Sequence, residues 1–340
     1  MKLFLKIILG GFVVVSTMTL FAAAGGSWWA YQKFHNQGDF DQPIEITIPQ
    51  GSSISRIAEN LLYAGALEDV VLSPMIFKIG GRLTDQATKL KAGEYEIPAR
   101  ASMKDILDLL ESGKVIQRQV TIREGLTNWE IKQLLLAHDG LSKGVEFKMK
   151  AEGMYLPETY SYQKGDSAVD IMNRMNIALE KTLSDAWEMR SPDLPLKTKE
   201  EALVLASIIE KETAIGLEHR KVAGVFINRL RKGMLLQTDP TVIYALTKGK
   251  PQNEGKGPLG RRLLLKDLKV DSPYNTYLYA GLPPTPIANA GRAAIEAALN
   301  PEEHSYIYFV ADGSGGHAFA KTLSGHNRNV AKWRKIRKGK

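Results

Sequence analysis

The chain opens on an unbroken apolar run. Ile7 to Ala24 reads IILGGFVVVSTMTLFAAA and carries no charge. As a helix it would be about 27 Å long, close to the roughly 30 Å hydrocarbon core of a bilayer. The pattern predicts a transmembrane helix over 7–24, after a short tail at 1–6. Lys2 and Lys6 precede the run, and Trp28, Trp29 and Tyr31 follow it as an aromatic belt would. Asp39 and Asp41 lie beyond. This bias predicts a single-pass protein of the cell inner (plasma) membrane, with its N-terminus cytoplasmic and its bulk periplasmic or extracytoplasmic. A cleaved signal peptide is the competing reading, because Ala22-Ala23-Ala24 has the small-residue pattern, but the run exceeds a typical h-region of roughly 7–15 residues. Both readings export residues 30–340. Residues 25–42 read as a linker.

The pattern then becomes a repeated strand–cap–helix unit. Ile46-Thr47-Ile48 leads to Ser53, Ile57 and Leu61; Tyr95-Glu96-Ile97 leads to Ser102, Ile106 and Leu110; Val120-Thr121-Ile122 leads to Thr127, Ile131 and Leu135. In each, a β-rich triplet precedes an N-capping hydroxyl and an i, i+4 apolar stripe. The first unit, ITIPQGSSISRIAENLL, resembles a LysM module, a resemblance that implies binding of N-acetylglucosamine-containing glycans. A plain packing unit without a ligand remains the alternative. A LysM-like subdomain over 43–117 and a second domain over 118–340 are the expected division.

From about residue 140 the periodicity is helical. In Glu200–Ala214, EEALVLASIIEKETA, a helix turning by about 100° per residue gathers Leu205, Ile208 and Ile209 into one apolar arc around Glu201. Glu212 falls inside this arc. Glu210 falls on the opposite side of the helix, where it would be solvated or paired along its length. A carboxyl on an apolar face has its pKa raised by desolvation and suits general-acid work, although a hydrogen-bonded structural glutamate would sit there equally well. No second buried carboxylate is expected on that helix. Two further helices follow, in HRKVAGVFINRLRKG and in LLQTDPTVIYAL. Gln237, Thr238 and Asp239 cluster at the start of the latter, where capping by Thr238 or Asp239 competes with ligand binding. SPYNTYLYAGLPPTPIANAG sets aromatics beside amides, as sugar recognition would, or forms a rigid packing loop. Residues 305–311 and His317-Ala318-Phe319 predict a hairpin turning at Asp312–Gly316.

Composition narrows the classes. Cys is absent from the 340 residues, which excludes disulfides, thiolate metal sites and a Cys nucleophile. The formal net charge of +8 leaves anionic lipid, an acidic polymer or nucleic acid as partners. The basic residues are dispersed and no nucleic-acid-reading motif occurs, so no nucleic-acid partner is expected. Six His without HExxH spacing predict no metal site. The C-terminal KWRKIRKGK reads as a solvated basic helix end that suits a membrane surface.

The ordered blocks ASIIEKET, VFINRLRKGMLLQTDPTVIYAL, PYNTYLYAGLPPTPIANAG and YFVADGSGGHAF resemble the endolytic murein transglycosylase (YceG-like) family, as do KAGEY at 91–95 and YLPETY at 155–160. The resemblance covers essentially the whole exported chain. It implies a mixed helix and antiparallel-sheet catalytic domain over 118–340, an α+β architecture, and an essential acid at Glu212, the second Glu of the E-K-E-T block. It implies cleavage of MurNAc–GlcNAc β-1,4 bonds within nascent peptidoglycan strands, leaving 1,6-anhydro-MurNAc ends, and a role in terminating elongation. No cofactor is implied. Peptidoglycan strands, membrane lipid and peptidoglycan synthases are the implied partners. Many relatives carry Asp in the block matching Tyr155–Tyr160, where this chain has Glu158. Glu158, Gln237, Thr238, Asp239, Asn275 and Tyr277 are the expected substrate-binding residues. A membrane-anchored glycan-binding protein without catalysis is the rival expectation.

Overall fold

The computed structural model describes residues 2–68, 72–142, 148–252 and 258–338, with side chains from residue 10 onward. The side chains of Lys2, Lys6 and Ile7 and the last two residues of KWRKIRKGK lie outside the described part. The chain divides into two compact units, Met1–Arg118 and Gln119–Lys340.

Unit 1 begins with helix α1 (Lys2–His35). It continues through β1 (Ile44–Ile48), α2 (Ile54–Tyr63), α3 (Ser73–Leu83), β2 (Gly93–Ile97) and α4 (Met103–Ser112). β1 and β2 pair antiparallel, with Ile46 opposite Tyr95. Their inward side chains, Ile46, Ile48, Tyr95 and Ile97, meet Ile57 and Leu61 of α2 and Ile106 and Leu110 of α4 in one core. The expected caps are in place: Ser53 accepts from the Arg56 N–H, and Ser102 forms a reciprocal capping box with Asp105.

The linker expected over 25–42 is mostly helix, because α1 runs without a break to His35. The cause is tertiary. Ala30 and Phe34 pack on the unit 1 core, and Lys33 Nζ lies 2.6 Å from Glu68 Oε2. At Gly80 of α3, an added Cβ would lie 2.1 Å from the Phe34 ring, so only glycine admits this approach. Gly10–His35 is long and apolar enough to cross a membrane, and its apolar 18-residue stretch is not buried in the protein.

Unit 2 takes up the chain with β3 (Arg118–Thr121), which straddles the boundary, then α5 (Asn128–Ala137), β4 (Thr159–Tyr162) and α6 (Ala168–Glu188). Next come α7 (Lys199–Glu212), α8 (His219–Arg231), α9 (Asp239–Thr247) and α10 (Arg292–Leu299). The hairpin β5 (Tyr308–Ala311) and β6 (His317–Ala320) and the exposed helix α11 (Leu323–Lys338) complete it. β3 pairs with β4. Over them Val120, Ile122, Ile131, Leu135 and Ile171 form a small core. The larger core surrounds α7, which is buried on every side from Ala202 to Ile209 and packs on α6, α8, α9 and α10. β5 and β6 are antiparallel, with Ala311 opposite His317. The strand expected over 305–311 starts only at Tyr308, because the His304 and Tyr306 carbonyls accept from the Asn228 amide of α8. The fold is α+β.

Candidate active site

Helix α7 carries two acids near its end, and the structure treats them differently. Glu210 is half-buried rather than solvated. Its Oε2 accepts from the Gly291 N–H at 3.0 Å, so α7 supplies the cap that Gly291, at the N-cap of α10, cannot make for itself. Burial, with Glu124 nearby, pushes its pKa up. The expectation of a single desolvated carboxyl on this helix is therefore corrected. The wheel assumed one apolar face, whereas α7 is enclosed all round and its polar ends are buried by other elements.

Glu212 is the last residue of α7, and the chain leaves it in an extended conformation at Thr213. It is half-buried, and burial raises its carboxyl pKa to about 7. Asp239 raises it further, while Thr238, His317 and Arg229 pull it down. These neighbours come from three separate parts of the chain. Arg229 of α8 is buried, its guanidinium donating to the Ile307, Leu235 and Leu236 carbonyls, Leu236 at 2.7 Å. His317 opens β6, and its Nδ1 lies 2.7 Å from Glu218 Oε2 while its N–H donates to Glu218 Oε1. Glu218 ends the 3-10 turn Gly216–Glu218 that follows α7.

The segment 237–239 forms an elbow into α9. Gln237 is exposed and adopts φ +50°, an uncommon conformation for a residue with a Cβ. Thr276 holds the elbow: its carbonyl accepts from the Gln237 N–H and its hydroxyl from the Thr238 N–H. Thr241 donates to the Thr238 carbonyl and lies 2.8 Å from the Thr276 hydroxyl. Thr238 occupies the N-cap position of α9 but makes no side-chain cap; its Oγ1 is buried and turned toward Glu212. Its hydroxyl is instead the polar group that most lowers the Glu212 pKa. Asp239 is exposed and accepts from the Tyr277 hydroxyl at 2.6 Å. The Tyr277 pKa is raised, first by burial and then by that bond. Asp239 also borders a cleft of about 600 Å³ with Arg261, Arg262 and Arg337 on its walls.

The structure therefore gathers Thr238, Asp239 and Tyr277 around Glu212, with Gln237 on the adjoining elbow. It does not bring in the other two expected residues. Asn275 is fully buried, and its amide donates to the Leu268 and Val270 carbonyls and accepts from the Tyr277 N–H. It shapes the loop from within. Glu158 is exposed and pairs with Arg292 at 3.5 Å; among the described residues no contact joins it to Glu212. A further desolvated carboxyl, Glu152, binds the Asn128 N–H and has its pKa raised by burial, in a knot with Asn289 and Tyr244. Arg229, Glu218, His317 and Thr276 are the site residues that sequence reasoning missed. Arg229, Thr276 and His317 lie within the quoted sequence blocks, but nothing in those blocks assigns them to the site, and Glu218 lies outside them.

A carboxyl with a pKa near neutrality can both give and take a proton at pH 7, and the polar side chains beside it supply hydrogen-bond donors and acceptors. The fold and site thus define an α+β protein with a carboxyl of near-neutral pKa at the end of a buried helix. The sequence model of the YceG-like family matches residues 46–332, and the chain belongs to that family. It is 32% identical over 329 residues to the "Endolytic murein transglycosylase" of Bacillus subtilis, an alignment covering 87% of this chain and 86% of that protein. It is 28% identical over 375 residues to the protein of the same name from Streptococcus pneumoniae D39, covering 94% of this chain but 64% of the longer streptococcal protein. A crystal structure of a putative yceG-like protein from Listeria monocytogenes is similar at 31% identity and a TM-score of 0.46, covering 85% of this chain and 99% of that one.

Proposed function

We propose that this chain is a membrane-anchored endolytic murein transglycosylase in which Glu212 serves first as acid and then as base. The pKa of Glu212 near 7, set by burial at the end of α7, is the observation that carries the reading. Protonated Glu212 donates to the glycosidic oxygen between MurNAc and GlcNAc as the C1–O bond breaks toward an oxocarbenium-like state. The resulting carboxylate takes the proton of the C6 hydroxyl of the same MurNAc as that oxygen closes onto C1. The product is a 1,6-anhydro end, and Glu212 is protonated again. Because the nucleophile is tethered to the electrophile, little entropy is lost in capture. One carboxyl is sufficient, whereas hydrolysis would ordinarily need a second one to activate water.

Helix α1 anchors the protein in the plasma membrane, which keeps the enzyme beside newly made strands and peptidoglycan synthases. Unit 1, with its LysM-like first strand and helix, binds glycan. The proposed chemistry is tested by mass spectrometry of muropeptides after incubating the full chain with isolated peptidoglycan, beside Glu212→Gln. Internal products with 1,6-anhydro-MurNAc ends, lost in the variant, are expected. Reducing MurNAc ends would make water the nucleophile and overturn the mechanism.

A further inference from the structure

Among the described residues of unit 1, helix α3 leaves a large apolar surface open. Its sequence, SPMIFKIGGRL, has no acidic residue. Ile76, Phe77, Gly80 and Gly81 are buried. Met75, Ile79 and Leu83, at i, i+4 and i+8, are 52%, 42% and 82% exposed. By helical arithmetic, Lys78 and Arg82 flank this stripe on one side, about 20–60° beyond Met75. An apolar stripe with a cationic edge is the pattern of a helix that lies in a bilayer interface.

The surroundings of α3 name the occupant. Between α3 and α1 runs a groove of about 690 Å³, lined by Ala23, Gly26 and Ala30 of α1 and by Ile79, Gly80 and Leu83 of α3. One wall of the groove is therefore the apolar helix that is long enough to cross a membrane. The small side chains of α1 keep the groove open, and Phe34 against Gly80 fixes α3 beside it. The same stretch of α1 carries Trp28, 65% exposed, and Trp29, 42% exposed, residues of the kind that settle at headgroup level. The open face of α3 thus adjoins the apolar helix, at the stretch of α1 that carries Trp28 and Trp29.

We propose that α3 docks in the interface of an anionic bilayer, with Met75, Ile79 and Leu83 among the acyl chains, Lys78 and Arg82 at the phosphates, and lipid filling the groove against α1. The inference rests on α1 as a membrane span and is independent of the chemistry at Glu212.

The absence of cysteine makes the test direct. Single Val15→Cys, Tyr63→Cys, Ile79→Cys and Leu83→Cys variants of the full chain all place an environment-sensitive fluorophore at exposed sites. They are reconstituted in phosphatidylcholine–phosphatidylglycerol vesicles with or without brominated acyl chains. Expected is bromolipid quenching at 79 and 83 at least about two-fold stronger than at 63, with 15 quenched as well. If 15 is quenched while 79 and 83 are as open to aqueous iodide as 63, docking is wrong and the anchor stands. If 15 escapes bromolipid, the span and the docking fall together. Labels at 79 and 83 that are shielded from iodide yet unquenched by bromolipid would mean a protein covers α3, which also overturns the proposal.

Discussion

Opposing influences meet at Glu212. Burial and Asp239 favour its neutral form; Thr238, His317 and Arg229 favour the carboxylate, and the balance leaves the pKa at about 7. Glu212→Gln should lower the cleavage rate about 10²–10⁴-fold, the range expected for a positioned general acid, with an unchanged circular dichroism spectrum. The rate of the unaltered protein should fall as pH rises through about 7, because the donor form is lost. The neighbours should move this limb in opposite directions: Asp239→Asn toward lower pH and His317→Ala toward higher pH, both read from kcat/KM profiles. Stability follows by linkage. A carboxyl whose folded pKa is raised stabilises the fold below its unfolded pKa near 4.5 and loses that contribution as pH climbs through about 7. Glu212→Gln should therefore gain on the parent as pH rises between those values, by on the order of 3 kcal/mol once pH 8 is reached, measured by thermal unfolding across pH. Glu212 was legible in the sequence because a charge interrupts an apolar arc within one helix. Arg229 and His317 were not, since their partners Ile307 and Glu218 lie 78 and 99 positions away in the chain.

Elements divide along the same line between local and distant causes. The three strand–cap–helix units could be read because each cap is a contact across three residues, Ser53 to Arg56, Ser102 to Asp105 and Thr127 to Glu130. Helix α3 was overlooked: Gly80 and Gly81 break its helical signal, and what demands Gly80 is the Phe34 ring of α1. The linker expected over 25–42 shortens for the matching reason, since the packing of Phe34 that carries α1 on to His35 is a contact with a distant element. At this scale Arg229 is the most informative position. Its planar fork ties α8 to the residue before β5 and to the 235–236 segment that leads into the elbow. Arg229→Lys keeps the charge but cannot reach three carbonyls, so it should cost about 3 kcal/mol in denaturant unfolding.

Over the whole molecule, each unit has a core of its own. Ile106 is fully buried in unit 1 and belongs to no cluster of unit 2. Ile106→Ala should therefore cost about 2–5 kcal/mol in the unfolding transition of unit 1 and leave that of unit 2 in place, as differential scanning calorimetry of the full chain would show. The unbroken α1 also has a mechanical consequence. Under the proposed anchoring, α1 leaves the bilayer and enters a folded core without a hinge, as a threaded rod: each residue inserted below Phe34 lifts unit 1 by about 1.5 Å and turns it by about 100°. Altitude and heading cannot be adjusted separately. A lipid plane is the same in every direction and registers only the altitude, whereas a neighbour embedded beside α1 registers the heading as well. Lengthening α1 by seven residues, two turns, would raise unit 1 by about 10 Å yet return it to within about 20° of its original bearing.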